Sequence, residues 1–179
     1  MELLLLSAPE MFGLEREKLM SGTALQIADL LERIGRDAIA QFGDLDEEHL
    51  NRALPLPESN TLFALATHLV GAGEFWVLVL VGQRDIPRDR PAEFHATGKA
   101  EDLLLRYECW IQAVHEVLDT LPAERLDALV SVPAGYRPST TREMQSVGDA
   151  LLHAVEHSAL HLGHIQLTRQ LLGYAPPVR

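Results

Sequence analysis

Cysteine occurs once in this 179-residue chain, at Cys109. A single thiol excludes an intrachain disulfide and a cysteine-rich zinc module. It sits inside a helical pattern among apolar neighbours and reads as a small buried hydrophobe rather than a reactive group. Basic residues are scarce as well: 15 Lys and Arg stand against 26 Asp and Glu, a formal net charge of -11. Such a charge repels polyphosphates, and no predicted helix carries a continuous Lys/Arg stripe, so nucleic acid is not an expected partner. Long apolar runs are missing, none approaching the ~18 to 20 residues that cross a bilayer. The opening MELLLLSAPE lacks the basic start of a secretion signal and is too short to anchor the chain. A cytoplasmic protein without a membrane partner is the expectation. Several catalytic signatures are also missing, among them a glycine-rich phosphate loop, a GxSxG elbow and a Cys/His nucleophile arrangement.

What is present is helical periodicity. The length fits one domain over residues 1–179, and 47% hydrophobic residues is the composition of a globular protein. Apolar residues step by three and four through Ala24, Ile27, Leu31, Ile34, Ala38 and Phe42, which predicts a first helix from Thr23 to Phe42, stopped by Gly43. Ser7 and Glu10 have capping-box spacing for a short lead-in helix through Met20, with Gly13 and Gly22 weakening its continuity. After an acidic, proline-bearing connection, Ser59 or Asn60 caps a second helix that runs to Val81 before Gly82. The connection RDIPRDRPAEFHAT leads to a third helix from Lys99 to Leu121, with Leu103, Leu104, Tyr107, Trp110, Ile111, Val114 and Leu118 on its face. Pro122 to Ser139 reads as a long loop with one short extended piece in ALVSV. Thr140 and Glu143 form a second capping box, opening a fourth helix that reaches Leu172 ahead of Gly173 and Pro176. Such a pattern, with no strand signal long enough for a sheet, predicts an all-α four-helix bundle. The connections are long enough for crossovers, so spacing leaves the topology open.

The fourth helix carries the chemistry. His153, His157, His161 and His164 fall in LLHAVEHSALHLGHIQLTRQLL, half of the chain's eight histidines on one stripe. Imidazoles are less often buried than aliphatic side chains, and the simplest reason to line them up is a divalent metal. An i, i+4 pair such as His157 and His161 brings two rings within reach of one ion at ~2.0 to 2.1 Å, and tight binding asks for a third ligand from another helix. His68 is the best donor, the one histidine of the second helix, on the side of Leu65, Ala72, Phe75 and Trp76. His115 on the third helix competes for that role, whereas His49 and His95 fall in loops and read as surface residues. His153 and His164 are expected to contact the ligands or line the pocket. Ser158 follows His157 where a zinc peptidase motif would have Glu, and Glu-x-x-His pairs do not recur as in di-iron bundles. Trp76, Tyr107 and Trp110 read as core.

The run HAVEHSALHLGHIQLTRQLL resembles the closing helix of the DinB/YfiT-like superfamily, in which an H-x-x-x-H pair precedes a glycine, a polar residue and an apolar stretch containing Arg. LFALATHLVGAGEFWV resembles the superfamily's other signature, a histidine followed by Leu and an aromatic pair. The resemblance implies a four-helix bundle of up-down-down-up connectivity and a divalent metal on three histidines, which by position are His68, His157 and His161. It also implies S-transfer with a low-molecular-weight thiol such as bacillithiol or mycothiol, or maleylpyruvate isomerisation. Where many members have Gln after the glycine, this chain has His164 after Gly163.

The expected function is thus a metal-dependent S-transferase-type or hydrolase-like enzyme, in which the ion lowers the pKa of a thiol or water. Zn, Ni, Fe or Co all suit imidazole ligands, and the sequence does not choose among them. No catalytic acid or base is assigned, the candidates being His153, His164, Tyr136 and Arg137. Two other readings share the same residues: a non-catalytic metal- or ligand-binding bundle, and a structural bundle with core histidines. A closed four-ligand shell favours the non-catalytic reading, and a three-ligand site opening to a cavity favours catalysis. A homodimer is expected from the prevalence of two-fold assemblies and the chain's surplus of apolar helix faces.

Overall fold

The computed structural model describes residues 8–136 and 143–177, with side chains from residue 22 onward. Helix α1 (Ala8–Phe42) buries Ala24, Ile27, Leu31, Ile34, Ala38 and Phe42, the stripe its periodicity predicts. The lead-in is not a separate helix but the first turns of α1, because a lone interior glycine costs only about 1 kcal/mol and does not by itself break a long helix. Ser7 of the expected capping box lies outside the described residues. A single turn, α2 (Glu47–Leu50), interrupts the next connection and is capped by the Asp46 side chain.

Helix α3 (Leu62–Gly73) is buried along its whole length and continues as a π-helical segment, Glu74–Val81, that ends at Gly82. Its cap is Thr61, whose hydroxyl accepts the Ala64 N–H; Ser59 is engaged elsewhere, donating to the Leu54 carbonyl. The expectation that no apolar run matches a bilayer is corrected here. Leu62–Val81 is 20 residues long and holds an 18-residue window with a mean hydropathy of 1.7, enough for a span by length and composition, and 89% of that window is buried inside the fold. Its apolarity serves the core, with polar exceptions at Thr67, His68 and Glu74.

Past the short α4 (Arg90–Glu93), helix α5 (Ala100–Leu118) buries Leu103, Tyr107, Trp110, Ile111, Val114 and Leu118. The fully buried Tyr107 hydroxyl donates to the Ala66 carbonyl at 2.9 Å, satisfying both groups. Cys109 is exposed, contrary to the buried reading. Its sequence neighbour Trp110 is core, but one residue turns a helix by about 100°, which carries the thiol to the solvent side. The extended piece is found as β1 (Leu129–Ser131), and it pairs antiparallel with β2 (Met144–Ser146). That pairing delays the last helix. Helix α6 (Val147–Leu171) opens on a capping box of Ser146 and Asp149, not on Glu143, while Thr140 lies outside the described residues.

The long helices meet pairwise: α1 packs on α5 and α6, and α3 packs on the same two. Along the α3/α6 seam His68 meets His157 and His161 while Trp76 meets His153, so the two run antiparallel. Two glycines of α3 permit close approach. A Cβ on Gly73 would lie 2.5 Å from Cζ2 of Trp110, and one on Gly71 would strike the Glu93 carboxylate.

This contact geometry inverts the usual effect of Gly→Ala in a helix, which stabilises by roughly 0.5–1 kcal/mol. Gly22→Ala in α1, where nothing among the described residues lies within 4 Å of the new methyl, should follow that rule. Gly73→Ala should instead destabilise by about 1–3 kcal/mol, because the indole it meets is locked in the core. Urea unfolding midpoints of the two variants, moving in opposite directions, check this.

Candidate metal centre

His68 lies on the second turn of α3 and is 2% exposed. Its ring centroid is 5.1 Å from that of His157 and 4.6 Å from that of His161, and the two α6 rings are 4.4 Å apart. One nitrogen from each of the three rings lies within 4.8 Å of the other two. Two helices therefore bring the three expected donors to one point. His153 is one turn away, its ring 5.7 Å from His157 and edge-on to Trp76 at 4.4 Å. His164 is exposed at the other end of the row, 5.2 Å from His161. His115 belongs to a different seam, bonded to Glu32 at 3.0 Å, which removes it as the competing ligand. His49 bonds Asp46 within the α2 turn rather than in a loop, and His95 is exposed.

One residue of the site was not anticipated. Glu93, at the end of α4, is 6% exposed, and its Oε2 lies 2.7 Å from His68 Nδ1. Arg88 grips the same carboxylate with both ends of its guanidinium, at 2.6 and 2.9 Å. Burial pushes the Glu93 carboxyl up, but the hydrogen bonds from His68 and Arg88 outweigh it and hold it below the ordinary range. A carboxylate on Nδ1 fixes the orientation of the His68 ring and leaves Nε2 as its free donor. Arg88 lies against the stacked pair Phe75 and Tyr136, 5.6 and 5.4 Å from their centroids, and its carbonyl accepts the Tyr136 hydroxyl. The sequence hint was the turn signal at Asp89 and Pro91, which curls this connection back; nothing in it separates Glu93 from a solvated acid.

The electrostatics favour neutral rings. Burial, together with the charges of the neighbouring imidazoles, depresses His157 to about 3 and His161 to about 4. Burial lowers His153 too. Among the described residues, Nδ1 of His157 and of His161 is buried with no hydrogen-bond partner. Neutral, partly desolvated imidazoles with unsatisfied nitrogens fit a divalent ion of the Zn, Ni, Fe or Co type. Beside them opens a cavity of about 210 Å³, whose walls include His68, His157, His153, Trp76 and Tyr136. Arg137 lies outside the described residues.

Comparison with known proteins bears on the family and the fold. The model of the mycothiol-S-transferase family matches residues 26–173. No curated protein matches the chain. Among solved structures, a DinB-like protein from Bacillus cereus superposes with a TM-score of 0.60 at 15% identity, over 82% of this chain and 90% of its own. A DinB-like protein from Bacillus subtilis superposes with a TM-score of 0.54 at 15% identity, over 90% and 96%. At that identity these likenesses speak for the fold.

Two outcomes follow from the geometry. His68→Ala, His157→Ala and His161→Ala should each abolish stoichiometric metal uptake, with His49→Ala and His115→Ala unaffected, and Glu93→Gln should weaken binding by about 10- to 100-fold, read by competition with a chromogenic chelator. The second concerns pH in chelator-treated protein. Below the ordinary histidine value of 6.5 the unfolded chain takes up protons that native His157 and His161 refuse, so native stability is fully present above that pH and falls as pH drops toward about 4. The melting temperature should decline from pH 7 to pH 5, and a His157→Gln/His161→Gln double variant should show a flatter decline; equal slopes would contradict the neutral-ring assignment.

Proposed function

The chain belongs to the mycothiol-S-transferase family, and from that membership and the imidazole cluster we propose that it is a metal-dependent thiol S-transferase. The observation that carries this reading is that three histidine donors cluster beside a cavity that two of them, His68 and His157, line, with no fourth His, Cys, Asp or Glu in the cluster among the described residues. A closed structural site would have four protein ligands; three leave room for an exchangeable one.

In this reading His68, His157 and His161 hold the ion, which when bound supplies Lewis acidity that lowers the pKa of a thiol or water. Glu93 orients His68, and Arg88 orients Glu93. Trp76 and Tyr136 wall the cavity with aromatic surface and limit water at the reacting end. His153 contributes a further ring to that wall, with Glu156 at 3.7 Å from its Nδ1. In the transfer the sulfur bonds to an electrophilic carbon, the leaving group departs with the bonding pair, and the thiol proton goes to solvent. A cavity of about 210 Å³ is smaller than the ~300–1,000 Å³ of sites that enclose drug-sized ligands, so it fits the reacting end of a thiol rather than the whole of a large one.

The fold belongs to the same reading: one domain, an up-down-down-up bundle in which α1, the α3 helix with its π extension, α5 and α6 are the four rods. Antiparallel contacts of α3 with α6 support it, as do those of α1 with α5, where Glu32 meets His115 and Arg36 meets Glu108. A cytoplasmic homodimer completes the proposal.

Protein loaded in turn with zinc, nickel, iron and cobalt, assayed with mycothiol, bacillithiol and simple thiols against alkylating electrophiles, tests it. Turnover should require both metal and thiol, vanish with chelator, and drop at least a hundredfold in His157→Ala. No turnover with any metal and thiol, despite stoichiometric metal, would defeat the proposal. Metal loading should also raise the melting temperature, because an ion bound only by the native state adds its binding free energy to folding.

A further inference from the structure

The cavity beside the imidazoles is positively charged in a chain whose net charge is -11. Among the described residues that line it, Arg88 and Arg90 are charged and none is an Asp or Glu. Arg88 is already matched by Glu93. Arg90 is not: among the described residues no carboxylate pairs with it. Its guanidinium lies 5.6 Å from the centroid of the Phe94 ring, and that ring is 4.5 Å from His68. One phenyl ring thus separates an exposed, uncompensated cation from the donor cluster. Imidazole donors bring no negative charge, so an ion held by three of them keeps its own charge and adds to that of Arg90.

We propose that Arg90 recognises a carboxylate on the small molecule that enters this cavity, making the site selective for compact anionic ligands over neutral ones. The proposal rests on the metal-dependent reading above and names the substrate class for it. A guanidinium offers a carboxylate two parallel N–H···O bonds, which fixes orientation as well as charge. Phe94 faces the guanidinium from one side, leaving its N–H fork open to a ligand. With about 210 Å³ beside the donors, the ligand that fits has its acid group and reacting atom only a few bonds apart. A positive pocket in an acidic surface also draws anions inward from solution, an effect that salt weakens.

The test uses full-length, cobalt-substituted protein, whose visible absorption reports any ligand that reaches the ion. The probes are 3-mercaptopropionate, which carries a carboxylate, 2-mercaptoethanol, which does not, and succinate, which lacks a thiol. The native protein should bind 3-mercaptopropionate at least tenfold more tightly than 2-mercaptoethanol. In Arg90→Gln, an exposed substitution that removes no hydrogen bond or ion pair found among the described residues, that preference should fall to within twofold while cobalt content and the Kd of 2-mercaptoethanol stay unchanged. Equal affinities in the native protein, or a preference that survives Arg90→Gln, overturns the proposal. The two readings separate cleanly. If succinate alone perturbs the spectrum and Arg90→Gln abolishes that response, the anion site stands and the thiol reading fails; if both thiols bind equally, the reverse holds.

Discussion

Three imidazoles converging between α3 and α6 impose a condition on everything around them: the rings must be neutral or share a cation. Protonated rings a few ångströms apart in a partly desolvated seam would repel one another strongly. The depressed values of His157 and His161 are the other face of that condition. An apolar seam would pack these helices more simply. Retaining three aromatic bases there, two with buried nitrogens that lack hydrogen-bond partners among the described residues, trades stability of the empty protein for affinity toward an ion.

The support for that point is built outward from His68. Glu93 reaches it only because α4 folds back over α3 and because residue 71 is glycine, a side chain there colliding with the carboxylate. Arg88 neutralises Glu93, and Phe75 and Tyr136 hold Arg88. A buried carboxylate without its cation would be costly, and a histidine without its carboxylate would be free to turn. The ligand, its orienting acid, the acid's counter-ion and the aromatic pair against it therefore stand or fall together, and Tyr136 is at once part of that pair and part of the cavity wall.

Much of this was legible in the letters, and the reasons for the rest are specific. The histidine stripe follows from helical period alone, and His68 from being the one imidazole on a helix otherwise meant for the core. Helix starts were harder because candidate caps compete. Ser59, Asn60 and Thr61 are all cap-competent, and Thr61 wins while Ser59 bonds a loop carbonyl. Glu143 and Asp149 each complete a box of the same spacing, and strand pairing of Leu129–Ser131 with Met144–Ser146 selects the later one. Cys109 was misread by adjacency in sequence rather than by angle on the helix. Glu93 was invisible for a deeper reason: its partner lies 25 residues back, and only the folded connection makes them neighbours.

Two donors one turn apart on α6 also demand that this helix not rotate, since a slip of one residue turns it by about 100° and carries both rings out of the seam. Both ends are accordingly pinned. At the N-terminus the Ser146–Asp149 box and the Val147 N–H to Ala128 carbonyl bond tie the first turn to the hairpin. At the other end Arg169, its side chain 3% exposed, bonds the Asp44 carboxylate through both guanidinium ends and also the carbonyls of Gln41 and Ala175. A buried guanidinium that loses its partners costs about 3–5 kcal/mol, enough to hold the helix in one register. Arg169 is two turns beyond His161 and does not line the cavity, yet it anchors the helix that carries both α6 donors. An ion pair at the far end of the helix thus helps to hold the register on which the convergence of the three rings depends.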